Sequence, residues 1–163
     1  MIRLRHNVID NLFGKVTLKD EDIYVEIERI QKKTKIFFFF DGHVNTRNFK
    51  INDNSIIEHT YFPERYIQIL VNCSPFVEFI IRAQTLGNPE FEITNPHLRI
   101  ENPDWLFHNY KVYYSDNLMY KCSKKLFKRY YNIEIVNKKY IEESIAIAIA
   151  IDMLCHDGDR TGG

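Results

Sequence analysis

Between Tyr140 and Cys155 the chain reads YIEESIAIAIAIDMLC, and every residue from Ile145 to Ile151 is Ile or Ala. Ala is the best helix former, and Glu142 and Glu143 stand where acidic residues complement the positive end of a helix. Asp152 follows the apolar run, and His156 and Gly158 supply a stop. Ile145, Ile147, Ile149 and Ile151 also alternate with Ala at a strand's period of two. Both faces would be apolar in either case, so length and alanine content decide, and they favour a helix over about 141–155.

A helix apolar all round has no solvent face and belongs inside a protein or a bilayer. Fifteen residues rise about 22 Å at 1.5 Å each. A span needs roughly 20 apolar residues for about 30 Å of hydrocarbon. The stretch is therefore expected to be a core helix wrapped by the preceding chain, with no transmembrane span.

That preceding chain reads as strands. Val16 and Leu18 alternate with polar neighbours, as do Ile23, Val25 and Ile27, with Asp20-Glu21-Asp22 as the turn between. Ile36 to Phe40 reads as a short apolar strand closed by the turn Asp41-Gly42. Further strands are expected at Asn48–Ile51, Ser55–Tyr61, Tyr66–Val71 and Phe76–Arg82. The meander continues through Phe91–Thr94, Leu98–Glu101, Tyr110–Tyr114, Leu118–Ser123 and Tyr130–Val136. Turns are read at Asn52-Asp53-Asn54, Leu86-Gly87-Asn88-Pro89, Asn102-Pro103-Asp104 and Ser115-Asp116-Asn117.

Many short strands at even spacing followed by an apolar helix predict a mostly β domain over 1–163. Its expected form is a closed antiparallel barrel of about twelve strands around the central C-terminal helix.

The totals bound the function. Twenty-two basic and 22 acidic residues balance over 163 residues, so an electrostatic partner must be drawn by a local patch. Cys73, Cys122 and Cys155 stand far apart without CxxC spacing, which suggests reduced thiols and a cytoplasmic setting. The segment MIRLRHNVIDNLFG lacks the apolar core of a signal peptide.

The densest local charge is Lys121, Lys124, Lys125, Lys128 and Arg129, followed by Lys138 and Lys139, with only Glu134 in opposition. Tyr120, Phe127, Tyr130 and Tyr131 interleave with it, a pattern suited to an anionic headgroup surface. The plainer alternative is a lysine-rich hairpin protecting a sheet edge.

Asp152 and His156 share a helix face and Cys155 adjoins His156, but neighbouring helical positions diverge by about 100°, which disfavours a catalytic Cys–His pair. The six histidines show no HxxxH or HExxH spacing, and Asp157-Gly158-Asp159 lacks the closing Glu of a calcium loop. No catalytic residue, metal or cofactor is expected, and no nucleic-acid reader motif is present.

Three segments carry a family likeness: LRIENPDWLFHNYKV from Leu98, SDNLMYKCSKK from Ser115, and YYNIEIVNKKYIEESIAIAIAID from Tyr130 to Asp152. In this order of strand, turn, strand, basic strand end and terminal apolar helix ending in Asp, the chain resembles the tubby-like C-terminal superfamily. That superfamily includes the LURP-one-related and phospholipid scramblase-like domains. The likeness covers the last third well and the N-terminal half by strand rhythm alone. Glu142-Glu143 stands where relatives often have Asp.

The resemblance implies a barrel around a hydrophobic helix and a domain that binds an anionic headgroup; with the local charge run it gives the expectation of a non-enzymatic domain whose anionic ligand or lipid headgroup is held by Lys121, Lys124, Lys125, Lys128 and Arg129. A peripheral membrane contact would fit a cytoplasmic protein of this kind. The alternative is a structural or interaction protein that presents barrel loops to a protein partner.

Overall fold

The structure is a computed structural model that describes residues 1–5, 15–20, 23–37, 40–60, 65–85, 88–104, 109–124 and 130–156. The first strands are β1 (Ile2–Arg5), β2 (Lys15–Asp20), β3 (Ile23–Phe37), β4 (Phe40–Ile51), β5 (Ser55–Thr60) and β6 (Tyr66–Val71). They are followed by β7 (Ser74–Thr85), β8 (Asn88–Ile93), β9 (Leu98–Asp104), β10 (Asn109–Tyr114), β11 (Asn117–Lys124) and β12 (Tyr130–Ile135). A single 3-10 turn over Lys138–Tyr140 leads into the helix α1, Ile141–His156.

The expected closed barrel is not found. The strands form two antiparallel meanders, a 7-stranded sheet ordered β2 to β8 and a 5-stranded sheet ordered β1-β12-β11-β10-β9. β1 lies beside β2, and β8 leads into β9 through residues 94–97. Among the described residues no ladder joins either pair. Local alternation announces each strand, but closure depends on hydrogen bonds between strand edges, which the side-chain pattern of one strand does not encode.

Three expected turns are also corrected: in the first, Asn88 and Pro89 pair with Thr85 and Gln84 as the start of β8, and residues 86–87 lie outside the described residues. Phe37 pairs with Phe40 and Lys35 with His43, so Asp41-Gly42 lies within β4, while residues 38–39 of the expected strand lie outside the described residues. The β3–β4 ribbon is thus long where two shorter strands were expected. Asn102-Pro103-Asp104 likewise belongs to β9, with Asp104 opposite Asn109. The expected turns at 52–54 and 115–117 stand where they were read. Asn72-Cys73 and Ser115-Asp116 make two-residue hairpin loops with both residues at positive φ, 50° and 62°, then 47° and 63°. That is the type I′ geometry that matches strand twist.

Each sheet turns one row of side chains inward. Val25 and Ile27 on β3, Ile67 and Ile69 on β6, Val112 on β10 and Ile133 on β12 are all without solvent exposure. Between the sheets lies α1, and from Ser144 to Cys155 every one of its residues is buried. The helix packs on β5, β6, β7 and β8 of one sheet and on β11 and β12 of the other. Alanines let those backbones approach closely while isoleucines fill the space between, as close packing demands. No helix among the described residues is long and apolar enough to cross a membrane.

Candidate functional site

Of the five basic residues singled out in the sequence, the two described ones, Lys121 and Lys124, lie on opposite faces of β11. Lys121 lies opposite Glu134 across the β11–β12 ladder, and its Nζ stands 3.7 Å from that carboxylate. Both side chains are exposed, so the pair contributes little beyond steering. Lys124 is three residues on, and side chains alternate across a strand. It therefore shares the inward face of Tyr120 and Cys122, with the half-buried ammonium at the end of the strand.

Burial holds the Lys124 pKa below the usual lysine range, against an opposing pull from Asp152. Its amide donates to Asn109 Oδ1 at 3.2 Å. Lys125, Lys128, Arg129 and Phe127 lie outside the described residues. Lys138 and Lys139 are exposed at the start of the helix, the opposite end of β12 from Lys124.

Of the aromatic residues expected at an interface, two of the three described ones are core. Tyr120 and Tyr131 have no exposure, and Tyr130 is half-buried under the Arg3 guanidinium, 5.2 Å above its ring.

Beneath Lys124 the fold assembles a polar cluster that sequence spacing did not announce. Tyr131 Oη donates to the Ala148 carbonyl at 3.4 Å, which turns the helix stripe Ala148, Asp152 and Cys155 toward β12 and β11. Cys122 and Tyr120 face it from β11, and Tyr110 from β10 meets the Tyr120 ring edge-on at 6.0 Å. One carboxylate, two thiols and three phenols thus share an enclosed corner, with Asp152 at 0% exposure.

Burial pushes the Cys122 thiol up to about 12, opposed by a hydrogen bond with Tyr110 and reinforced by Asp152. Cys155 is pushed up further by burial and then by Asp152 and Cys122. The phenols of Tyr110, Tyr120 and Tyr131 also rise, chiefly by burial. A thiol held protonated by burial is a weak nucleophile, and the bond from Tyr131 to the Ala148 carbonyl anchors this end of the helix. The signal for it was Tyr110, Tyr120, Cys122 and Tyr131 at inward parity on adjacent strands, visible only once register is known.

At the other end Glu142 fastens the helix to the β4–β5 turn. Its carboxylate accepts from Asn52 Nδ2 at 2.6 Å and Ser55 Oγ at 3.3 Å. Asn52, at φ 48°, also exchanges backbone and side-chain bonds with Glu26. A cavity of about 170 Å³ opens beside this turn, lined by Tyr24, Glu26, Glu28, Lys50, Asn52 and Asp53. Its polar groups largely satisfy one another: Tyr24 donates to Glu26 at 2.8 Å and Lys50 pairs with Asp53 at 2.7 Å. Among the described residues no three His, Cys, Asp or Glu side chains are arranged to hold a metal.

No family model, no curated protein and no solved structure matches the chain. The functional reading therefore rests on the chain's own residues.

Proposed function

We propose that this protein is a non-enzymatic, tubby-like binding domain that takes an anionic ligand or lipid headgroup at the connecting end of the β11–β12 hairpin, between Lys124 and Tyr130. The filled interior is the observation that carries this. A helix buried from Ser144 to Cys155 occupies the space where a carrier or barrel enzyme would hold its substrate, so partners must be met at the surface.

Lys124 closes the described part of the hairpin, and Lys125, Lys128 and Arg129 follow it in sequence. Charge-assisted hydrogen bonds from these groups would hold phosphate or carboxylate oxygens. Lys121, on the opposite face and beside Glu134, is left out of this site.

Vesicle flotation tests it, with phosphatidylcholine alone compared with phosphatidylcholine plus phosphatidylserine or a phosphoinositide. Each basic residue at an anionic surface contributes about 1 kcal/mol, or about fivefold in affinity. Lys124→Glu/Lys125→Glu should abolish flotation, whereas Lys121→Glu should change it little. If Lys121→Glu proved as damaging as the double variant, a diffuse charge effect would replace the hairpin site. Absence of flotation on every vesicle would remove the lipid headgroup, and titration with free inositol phosphates would then decide whether a soluble anion binds.

A further inference from the structure

The β3–β4 ribbon runs past the strands that flank it. β2 pairs with β3 as far as Glu28, and β5 pairs with β4 as far as Phe49. From Ile30 opposite Asn48 to Phe37 opposite Phe40, the two strands have only each other as ladder partners among the described residues. At about 3.4 Å per residue this length is about 24 Å. The alternating rows change character at the same place. Ile23, Val25 and Ile27 on β3, and Phe49 and Ile51 on β4, are buried in the core. The same row continues as Arg29, Gln31, Lys33 and Lys35, the last three opposite Arg47, Asn45 and His43. A row of charges is too costly to line an apolar core, so the ribbon leaves the core beyond Phe49.

Charge and apolarity are ordered along this length. Residues 29–49 hold Arg29, Lys32, Lys33, Lys35 and Arg47 against Asp41 alone, in a chain of zero net charge. Ile36, Phe37 and Phe40 stand at the far end of the ladder, and the sequence between the two phenylalanines is Phe-Phe. We infer that the ribbon is an arm that lays its basic row on an anionic bilayer and sets its phenylalanine end at the boundary of headgroups and acyl chains.

An apolar end with cations behind it matches the layering of a bilayer surface, where the cations meet anionic heads and the apolar groups lie deeper. Lysines that only guard ribbon edges against other chains need no apolar end. A ribbon in a nucleic-acid groove wedges apolar side chains between base steps, and five consecutive apolar residues, Ile36 to Phe40, exceed that need. Direction supports the bilayer as well. Glu142, at the start of α1, holds the β4–β5 turn, and the ribbon extends from that turn toward the other end of the helix. β12 also runs toward the helix start, so the connection after Lys124 lies at that same other end. The arm and the hairpin belong to different sheets, yet both reach one side of the molecule. Stable attachment to a membrane takes two signals, and each supplies one.

The test puts a reporter at the ribbon end of the whole protein, Phe37→Trp, with the only natural tryptophan removed by Trp105→Phe. It is titrated with vesicles whose acyl chains carry bromine, a quencher of tryptophan. Phosphatidylcholine with phosphatidylserine should quench the reporter, and phosphatidylcholine alone should not. Each basic residue at an anionic surface is worth about fivefold in affinity. Lys33→Glu/Lys35→Glu should therefore raise the lipid needed for half-quenching by about 25-fold or more at an unchanged melting temperature. Lys33→Gln/Lys35→Gln gives the same reading should the glutamate pair melt lower. Phe40→Ser should raise the midpoint by about tenfold or more. Quenching that persists at saturating lipid in Lys124→Glu/Lys125→Glu would hold the arm apart from the hairpin site, whose own failure shows as an unmoved midpoint in that variant. No quenching on anionic vesicles, or a midpoint indifferent to Lys33→Glu/Lys35→Glu, would overturn the inference. Retardation of a DNA duplex that this pair abolishes, without quenching on vesicles, would overturn it in favour of a nucleic-acid arm.

Discussion

If α1 is enclosed on all sides, truncating its isoleucines on opposite faces must cost similar amounts. Ile147 and Ile149 are two residues apart, and at 3.6 residues per turn their side chains diverge by about 160°. Both are at 0% exposure. Ile→Ala removes three carbons, each contributing about 0.8 kcal/mol of transfer free energy, or about 2.4 kcal/mol in all. A cavity term is added because neighbours relax only partly, which gives about 3 to 4 kcal/mol, within the range for buried Ile→Ala. In a protein of this size 1 kcal/mol moves the melting temperature by about 2 to 4 °C, so each variant should melt about 6 to 15 °C lower. Differential scanning calorimetry on Ile147→Ala, Ile149→Ala and the parent reads both shifts directly. One large shift beside one smaller than about 2 °C would refute the enclosed helix, since a helix with one solvent face gives that asymmetry.

Other outcomes follow from the same geometry. Ile149→Asp places an unpaired charge in the core and should abolish soluble expression; a purified variant with unchanged melting would contradict the helix's burial. Glu142→Ala removes the acceptor for Asn52 and Ser55 and should cost about 1 to 3 kcal/mol in a urea titration, as expected for hydrogen bonds to a charged group. Thiol titration with a disulfide reagent should count one fast thiol, Cys73, in the native protein, with Cys122 and Cys155 appearing only in denaturant. For pH, Cys122 keeps its proton in the folded state up to about 12, whereas its ordinary value is 9.0. Between those values the folded state binds more protons than the unfolded one, so stability must fall as pH rises past 9, by up to about 1.4 kcal/mol per pH unit for this thiol. Chemical denaturation from pH 8 upward should therefore show an alkaline loss that Cys122→Ser makes shallower; equal slopes would show that Cys122 is not the group responsible.

The helix was legible from Ile145–Ile151 because a run without polar side chains leaves no choice of environment. Strand positions were legible for the same local reason, and Ile23, Val25 and Ile27 went inward together as their alternation required. Closure was not legible, since it turns on whether the edges of β8 and β9 meet. The ends of β4 and β9 were misjudged because Asp-Gly and Asn-Pro-Asp favour turns in isolation, and extended pairing with β3 and β10 overrode that preference. Nearness in sequence also misled at the candidate site. Lys121 and Lys124 look like one patch, but a separation of three residues on a strand sends them to opposite faces. The Asp152 corner draws its groups from β10, β11, β12 and α1, so no single stretch of sequence could announce it.

The helix that fills the space between the sheets follows all twelve described strands. During synthesis, these strands therefore leave the ribosome before the segment they enclose is made. Until residues 141–156 emerge, the inward rows of both sheets have nothing to pack against, and their isoleucines and phenylalanines remain open to solvent or to one another. Folding of this chain is in that sense postponed to its last helix. A nascent chain ending before Ile141 is a natural client for chaperones that hold extended apolar strands apart.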